Sequence, residues 1–276
     1  MAPVGFRLWA CLTVALLSGL GVAGCGASVP GLGSDATADE VLAAARDAMV
    51  KVESYRFSID VSWEQAVAVS DGPVERSPIG LVVDGEWAKD DRYRLTQTYL
   101  GLGPSGEPGR PFSYVAVEGR WFLFDTTDEV WQELGFPVLP VPRFRGRPEV
   151  PELDEAWLLE DAVLDGVPVY HVAGRRHMTR TSDDGIFSST MDVKYDLYLG
   201  RNDLLLRQTE SRLTGVEVTT PPEGAQTERS LQQEETIRLW DFGAPITIEL
   251  PEDRVELPDP DATPTPLPTA TPTPLR

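Results

Sequence analysis

The sequence predicts an α+β fold in which one curved antiparallel sheet carries most of the chain. Three observations predict it: a helix signature from Thr37, strict two-residue alternation from Tyr55, and Asp-Gly or Glu-Gly pairs spaced between the later apolar runs. Strands do not alternate with helices in the way a parallel sheet requires. Consecutive hairpins make a meander instead.

The helix comes first. Thr37-Ala38-Asp39-Glu40 fits a capping box, in which the threonine oxygen and the glutamate carboxylate satisfy amides that have no partner inside the helix. Val41, Leu42, Ala45, Met49 and Val52 then recur at helical spacing as one apolar stripe. The period changes at "YRFSIDVSWE", where Tyr55, Phe57, Ile59, Val61 and Trp63 face one way and Arg56, Ser58, Asp60, Ser62 and Glu64 the other. Further strands are expected at Ile79–Val83, Arg92–Tyr99, Ser113–Val117, Trp121–Phe124, Val167–Ala173, Met191–Leu199, Leu204–Arg212, Glu234–Asp241 and Ile246–Leu250. Asp84-Gly85, Glu118-Gly119, Asp165-Gly166 and Asp184-Gly185 read as hairpin turns, because glycine accepts the positive φ that tight turns need. Leu153, Trp157, Leu158 and Leu164 predict a second, mid-chain helix within Glu152–Leu164. It follows a proline-rich loop.

The chain ends read differently from the body. Arg7 supplies a short positive segment, Leu8 to Val22 is apolar, and small residues follow, which is the pattern of a secretory signal. Val22-Ala23-Gly24-Cys25 resembles the bacterial lipobox, whose cysteine is diacylated and becomes the first residue of the mature protein. The apolar run is shorter than the ~20 residues of a bilayer span and ends in glycine and cysteine, not in a basic cluster. A plain cleaved signal or a transmembrane helix would each leave Cys25 without a role. The expected organisation is a signal peptide over 1–24, a flexible tether over 25–36, one domain over 37–257 and a Pro/Thr-rich tail over 258–276. That tail, "PDPDATPTPLPTATPTPLR", cannot bury a core and suits an extended spacer. Cys11 falls within the signal, so a mature chain with Cys25 acylated has no thiol for a disulfide.

Composition excludes some functions. With 24 basic and 44 acidic residues, the net charge is −20, and nucleic acid would repel such a body. Several catalytic-looking phrases lack the context their chemistry needs. Gly101-Leu102-Gly103-Pro104-Ser105-Gly106 matches a dinucleotide fingerprint, but Pro104, Pro108 and Pro111 forbid the helix that must follow. Asp241-Phe242-Gly243 closes a strand and reads as a strand-end turn, not as a kinase metal site. The two histidines are His171, in an alternating strand, and His177, in the arginine-rich "GRRHMTR", where a local positive field opposes a cation. No nucleophile–base pair or metal set emerges, so neither an enzyme nor a cofactor is expected.

Several longer phrases, taken in order, resemble a known family. After the lipobox come "ADEVLAAARDAMVKVESYRFSIDV", "YVAVEGRWFLFDTTDEVWQEL", "YDLYLGRNDLLLRQTES" and "TIRLWDFGAPITIELPED". Together, from Ala38 to Asp253, they resemble the LppX/LprG-type lipoproteins of the LolA-like superfamily. The resemblance implies an incomplete antiparallel β-barrel wrapped around the N-terminal helix and the mid-chain helical insertion, enclosing an apolar cavity for lipid acyl chains. The cavity candidates are Phe57, Ile59, Val61, Trp63, Leu81, Tyr93, Leu95, Trp121 and Leu123. The same residues would equally serve as an ordinary packed core.

One local charge reversal stands apart. "PVPRFRGRPEVP" sets Arg143, Arg145 and Arg147 at alternate positions with Phe144 between the first two. These residues read either as a solvated loop or as a contact with anionic lipid headgroups at the cavity mouth. The expected function is an extracytoplasmic lipoprotein, held to the cell membrane by lipid on Cys25, that binds or carries a lipid or other hydrophobic ligand. The alternative is an envelope interaction or sensing module of the same fold, with a protein partner, which the acidic surface and the proline-rich tail would serve.

Overall fold

The computed structural model describes residue 32 and residues 35–69, 75–101, 109–135, 149–220 and 226–257. Cys25, the signal segment, Arg143, Phe144, Arg145, Arg147 and the tail lie outside the described residues, as does most of the glycine-rich phrase after Gly101.

Helix α1 spans Ala38–Met49 and starts as expected. The Thr37 hydroxyl accepts from the Glu40 amide at 3.3 Å, and a Glu40 carboxylate oxygen accepts from the Thr37 amide at 2.8 Å. The strands are β1 (Ser54–Val69), β2 (Glu75–Ala88), β3 (Arg92–Leu100), β4 (Phe112–Val117), β5 (Arg120–Asp125), β6 (Val130–Leu134), β7 (Glu155–Leu158), β8 (Ala162–Leu164), β9 (Val167–Thr181), β10 (Phe187–Gly200), β11 (Leu206–Thr219), β12 (Thr227–Trp240) and β13 (Arg254–Val255). They form one sheet in the order β13-β6-β5-β4-β3-β2-β1-β12-β11-β10-β9-β7, with β8 also on β9. Two meanders are therefore joined where β12 returns to pair with β1, from Arg56↔Trp240 to Val69↔Thr227. Every pairing is antiparallel except β13 on β6. The two ends of the sheet do not pair with each other among the described residues, so this is an incomplete barrel around α1.

Alternation decides which side of the sheet is apolar. Tyr55, Phe57, Ile59 and Val61 are buried on the concave face with the α1 stripe of Val41, Leu42, Ala45 and Met49. The convex face carries charge ladders, including Arg56 with Glu86 and Asp241, and Arg238 with Asp60. Each such exposed pair contributes little by itself.

Three expectations are corrected. The mid-chain helix is absent: Glu152–Leu164 contributes strands β7 and β8, both paired with β9. Its apolar positions fit a strand better, since Ala156 and Leu158 pack on the core, while Trp157 turns outward, 42% exposed, beneath the Arg175 guanidinium. Asp84-Gly85 is not a turn but lies inside β2, where a Cβ on Gly85 would sit 2.5 Å from the Phe57 ring. Glycine is needed there for close approach, not for positive φ. Ile246–Leu250 forms no strand; flanked by Pro245 and Pro251, it crosses the convex face and buries Ile248 against Ala88, Val115 and Val117. The other turn pairs hold. Glu118-Gly119 and Asp165-Gly166 have positive φ at both positions, and Gly185 has φ 69° in the β9–β10 turn.

The segment after Leu250 then reaches β6, where β13 pairs with it beside a charged clasp. Arg120 donates to both oxygens of Glu133 at 2.8 and 2.9 Å and pairs with Glu256 at 3.1 Å, while the Leu257 amide also donates to Glu133. The Arg120 hydrogen bonds hold the Glu133 carboxyl below its ordinary range, and bonds from Arg254 and Arg120 do the same for Glu256. The folded state therefore binds fewer protons than the unfolded chain as these groups titrate, and the stability they contribute is present above about pH 4.3 and lost as pH falls through their folded values. Arg120→Met should flatten the acid limb of a stability–pH profile measured by urea unfolding between about pH 5 and 3. An unchanged slope would show that the clasp has no thermodynamic role.

Candidate functional site

The concave face is the one surface where apolar side chains from nearly every strand converge. At its centre, Phe57 lies between Gly85 of β2 and Leu239 of β12, and Ile59 between Val83 and Ile237. Leu95 neighbours Gly85 and Tyr114; Tyr93 neighbours Trp87 and Ala116, and its ring stacks on Trp121 at 5.7 Å. Tyr55 stacks on Trp87 at 5.0 Å. Burial pushes the Tyr114 phenol up, and the nearby Tyr99 adds to this.

The structure brings all nine cavity candidates onto this face. Phe57, Ile59, Val61, Leu81, Tyr93, Leu95 and Trp121 are buried in the cluster that includes α1, whereas Trp63 and Leu123 are only partly buried at its margin. The first group therefore packs the fold. The second borders whatever the fold leaves open.

What stays open follows from lengths. A helix of 12 residues is about 18 Å long, whereas β1, with 16 residues, extends for about 53 Å. Beyond the helix, cross-strand rows continue on the same face. One runs Trp63–Gln233–Leu213–Val193–Arg176, and the next includes Leu231, Gly215, Met191 and Met178. Of these, Leu213 and Val193 are buried in the core, whereas Trp63, Leu231, Met191 and Met178 are apolar and only partly buried. The sequence reading missed Met178 and Leu231 because it ended the β9 strand at Ala173 and began that of β12 at Glu234; Met191 opened an expected strand but was not among the cavity candidates. Extending the alternation of β9 through "GRRHMTR" is the signal that assigns Met178 to the interior.

Two clefts open beside these rows. One of about 560 Å³ lies between the end of α1, the segment 149–152 and β9, and is bordered by Arg46, Met49, Val150 and Arg176. The other, about 690 Å³, crosses β11, β12, β1, β2 and β3 near Trp63, Ile79, Leu100 and Leu213. Both volumes fall in the range of small-molecule sites. Polar groups are also present on the concave face: Gln97, Ser211 and Glu235 are buried, and the Ser211 hydroxyl donates to Glu235 at 3.5 Å.

The histidines lie elsewhere. His171 and His177 both project from the convex side of β9, about 20 Å apart by strand rise. Each bonds its own aspartate at 2.8 Å, His171 to Asp196 and His177 to Asp192. Among the described residues no group of three or more His, Cys, Asp or Glu is placed to hold a metal ion. Asp241-Phe242-Gly243 is a turn after β12, with positive φ at Asp241 and Gly243, and the Phe242 ring lies under the Arg207 guanidinium at 5.0 Å.

No family model and no curated protein matches the chain. Solved structures do. LprF from Mycobacterium bovis is 13% identical with a TM-score of 0.42, over 78% of this chain and 96% of that one. The LolA superfamily protein NE2245 from Nitrosomonas europaea is 11% identical with a TM-score of 0.27, over 75% and 94%. A lipoprotein-sorting protein domain described as outer-membrane, from Vibrio parahaemolyticus, is 11% identical with a TM-score of 0.26, over 76% and 95%. The solved structures similar to this chain thus include a member of the LolA superfamily, the one its sequence phrases resemble.

Proposed function

We propose that this protein is an exported lipoprotein that binds or carries a lipid or similar hydrophobic ligand on the concave face of its incomplete barrel, without covalent chemistry. The observation that carries this reading is the apolar strip formed by Trp63, Met178, Met191 and Leu231, only partly buried on a face whose centre is fully buried. A fold with no use for that surface would gain stability by covering it. Methionine suits a surface that must accept chains of varying shape, since its thioether is unbranched and adaptable. Lipid on Cys25 would keep such a site beside its ligand source, and the Arg143–Arg147 loop would meet anionic headgroups there.

The full chain, purified from its own host and released from detergent in a native mass spectrometer, should carry non-covalent lipid above the mass of the acylated protein. Trp63→Glu should reduce that adduct several-fold. A protein that is lipid-free under conditions that keep lipid on other carriers would rule out the carrier reading and leave the envelope interaction module.

A further inference from the structure

The basic phrase "GRRHMTR" is the part of β9 that the fold does not explain. On its convex side Arg175 lies over Trp157 at 5.5 Å, and His177 bonds Asp192 while its amide donates to Asp154. Its concave side carries Arg176, Met178 and Arg180, opposite Val193, Met191 and Ser189 of β10. Among the described residues neither Arg176 nor Arg180 has an ion pair or a side-chain hydrogen bond, although Arg176 is partly buried. This is unusual in a chain of net charge −20, where arginines on β1, β3, β5, β11 and β12 all meet carboxylates.

Arg46 of α1 adds a third positive charge. It borders the same cleft as Arg176 and donates only to neutral acceptors, the carbonyls of Val150 and Pro151 at 3.4 and 2.9 Å. Glu149 and Glu152 also line the cleft, but both are exposed and neither forms an ion pair there. On the side of Glu155 away from Leu158, no strand among the described residues pairs with this side of β9, so residues 176–181 lie at the sheet edge and form one lip of the barrel opening.

We propose that this lip binds the anionic headgroup of an amphiphile, a carboxylate or phosphate held by Arg176 and Arg180 with Arg46 nearby, while its acyl chain lies over Met178 and Met191. A partly desolvated guanidinium presents a planar fork that matches either oxyanion, and unmet positive charge beside an apolar strip fits a ligand that has both parts. This inference rests on the lipid-binding reading and adds the charge of the headgroup to it.

The test uses the full chain in phosphatidylcholine vesicles, with a diazirine-bearing long-chain fatty acid or its uncharged methyl ester as probe. The acid should label peptides containing Met178 or Met191 at least fivefold more than the ester. Arg176→Gln combined with Arg180→Gln should bring acid labelling down to the ester level and leave ester labelling unchanged, while Glu149→Gln with Glu152→Gln should raise it. Circular dichroism and limited proteolysis establish that the variants are folded. Equal labelling by both probes in the wild type, or acid labelling unmoved by the double arginine replacement, overturns the headgroup assignment and leaves lipid binding intact. Inorganic phosphate that competes mole for mole as well as the acid would show a site for a free anion and overturn the amphiphile. If neither probe labels the concave face, the lipid-binding reading itself fails.

Discussion

Phe57→Ala should lower the free energy of unfolding by about 3–5 kcal/mol, a large share of the ~5–15 kcal/mol of a typical domain. Phe57 is 0% exposed and sits where β1, β2 and β12 meet, with Gly85 and Leu239 beside it and the Tyr55 ring 6.1 Å away. Gly85 cannot fill the void, because it has no side chain to move into it. The strand pairing on both sides fixes the backbone, so collapse is limited and a cavity should remain. Trp63→Ala, although it removes a larger side chain, should cost less than about 2 kcal/mol, since Trp63 is only partly buried at the margin of the same face. Urea unfolding of the two variants measures the contrast. If Trp63→Ala proves as destabilising as Phe57→Ala, the margin is core and no surface is reserved for a ligand there.

That contrast shows where the sequence was legible. The alternation in Tyr55–Glu64 identified the concave face residue by residue, because along that run each concave residue is more buried than its convex neighbours up to Val61. Burial depth was not legible, since Phe57 and Trp63 share a period although one is fully and the other only partly buried. Asp84-Gly85 was misread because the same pair serves a hairpin turn or makes room for a ring, and only the cross-strand partner Phe57 distinguishes the two. Beyond Ala173 the strand β9 is polar on one side and mixed on the other, so the alternation that marks its first half fades there. The short β7 offered too few residues to separate a helical from an extended period, and what decides is the edge of β9 with its unmet backbone groups. Arg143, Arg145 and Arg147 remain a reading of the sequence.

Cys25→Ser should abolish stable membrane attachment of the processed protein while leaving its domain as stable as the wild type. Each buried acyl methylene contributes roughly 0.8 kcal/mol, and one chain gives only marginal binding where two anchor firmly. No helix among the described residues is long and apolar enough to cross a membrane, and the body is strongly acidic. The domain should not notice the change, because its helix begins at Ala38 with its own cap at Thr37, thirteen and twelve positions beyond Cys25. Fractionation and intact mass together give the answer. Wild type should stay in the membrane pellet after a high-salt wash and carry the mass of two acyl chains on the residue-25 amino terminus. The variant should appear either as a soluble, unacylated chain or as a precursor that keeps residues 1–24, and its urea midpoint should match the wild type in both cases. A variant that is processed at the same position and still resists the wash would show that Cys25 is not the anchor, and membrane attachment would then have to come from the body of the protein.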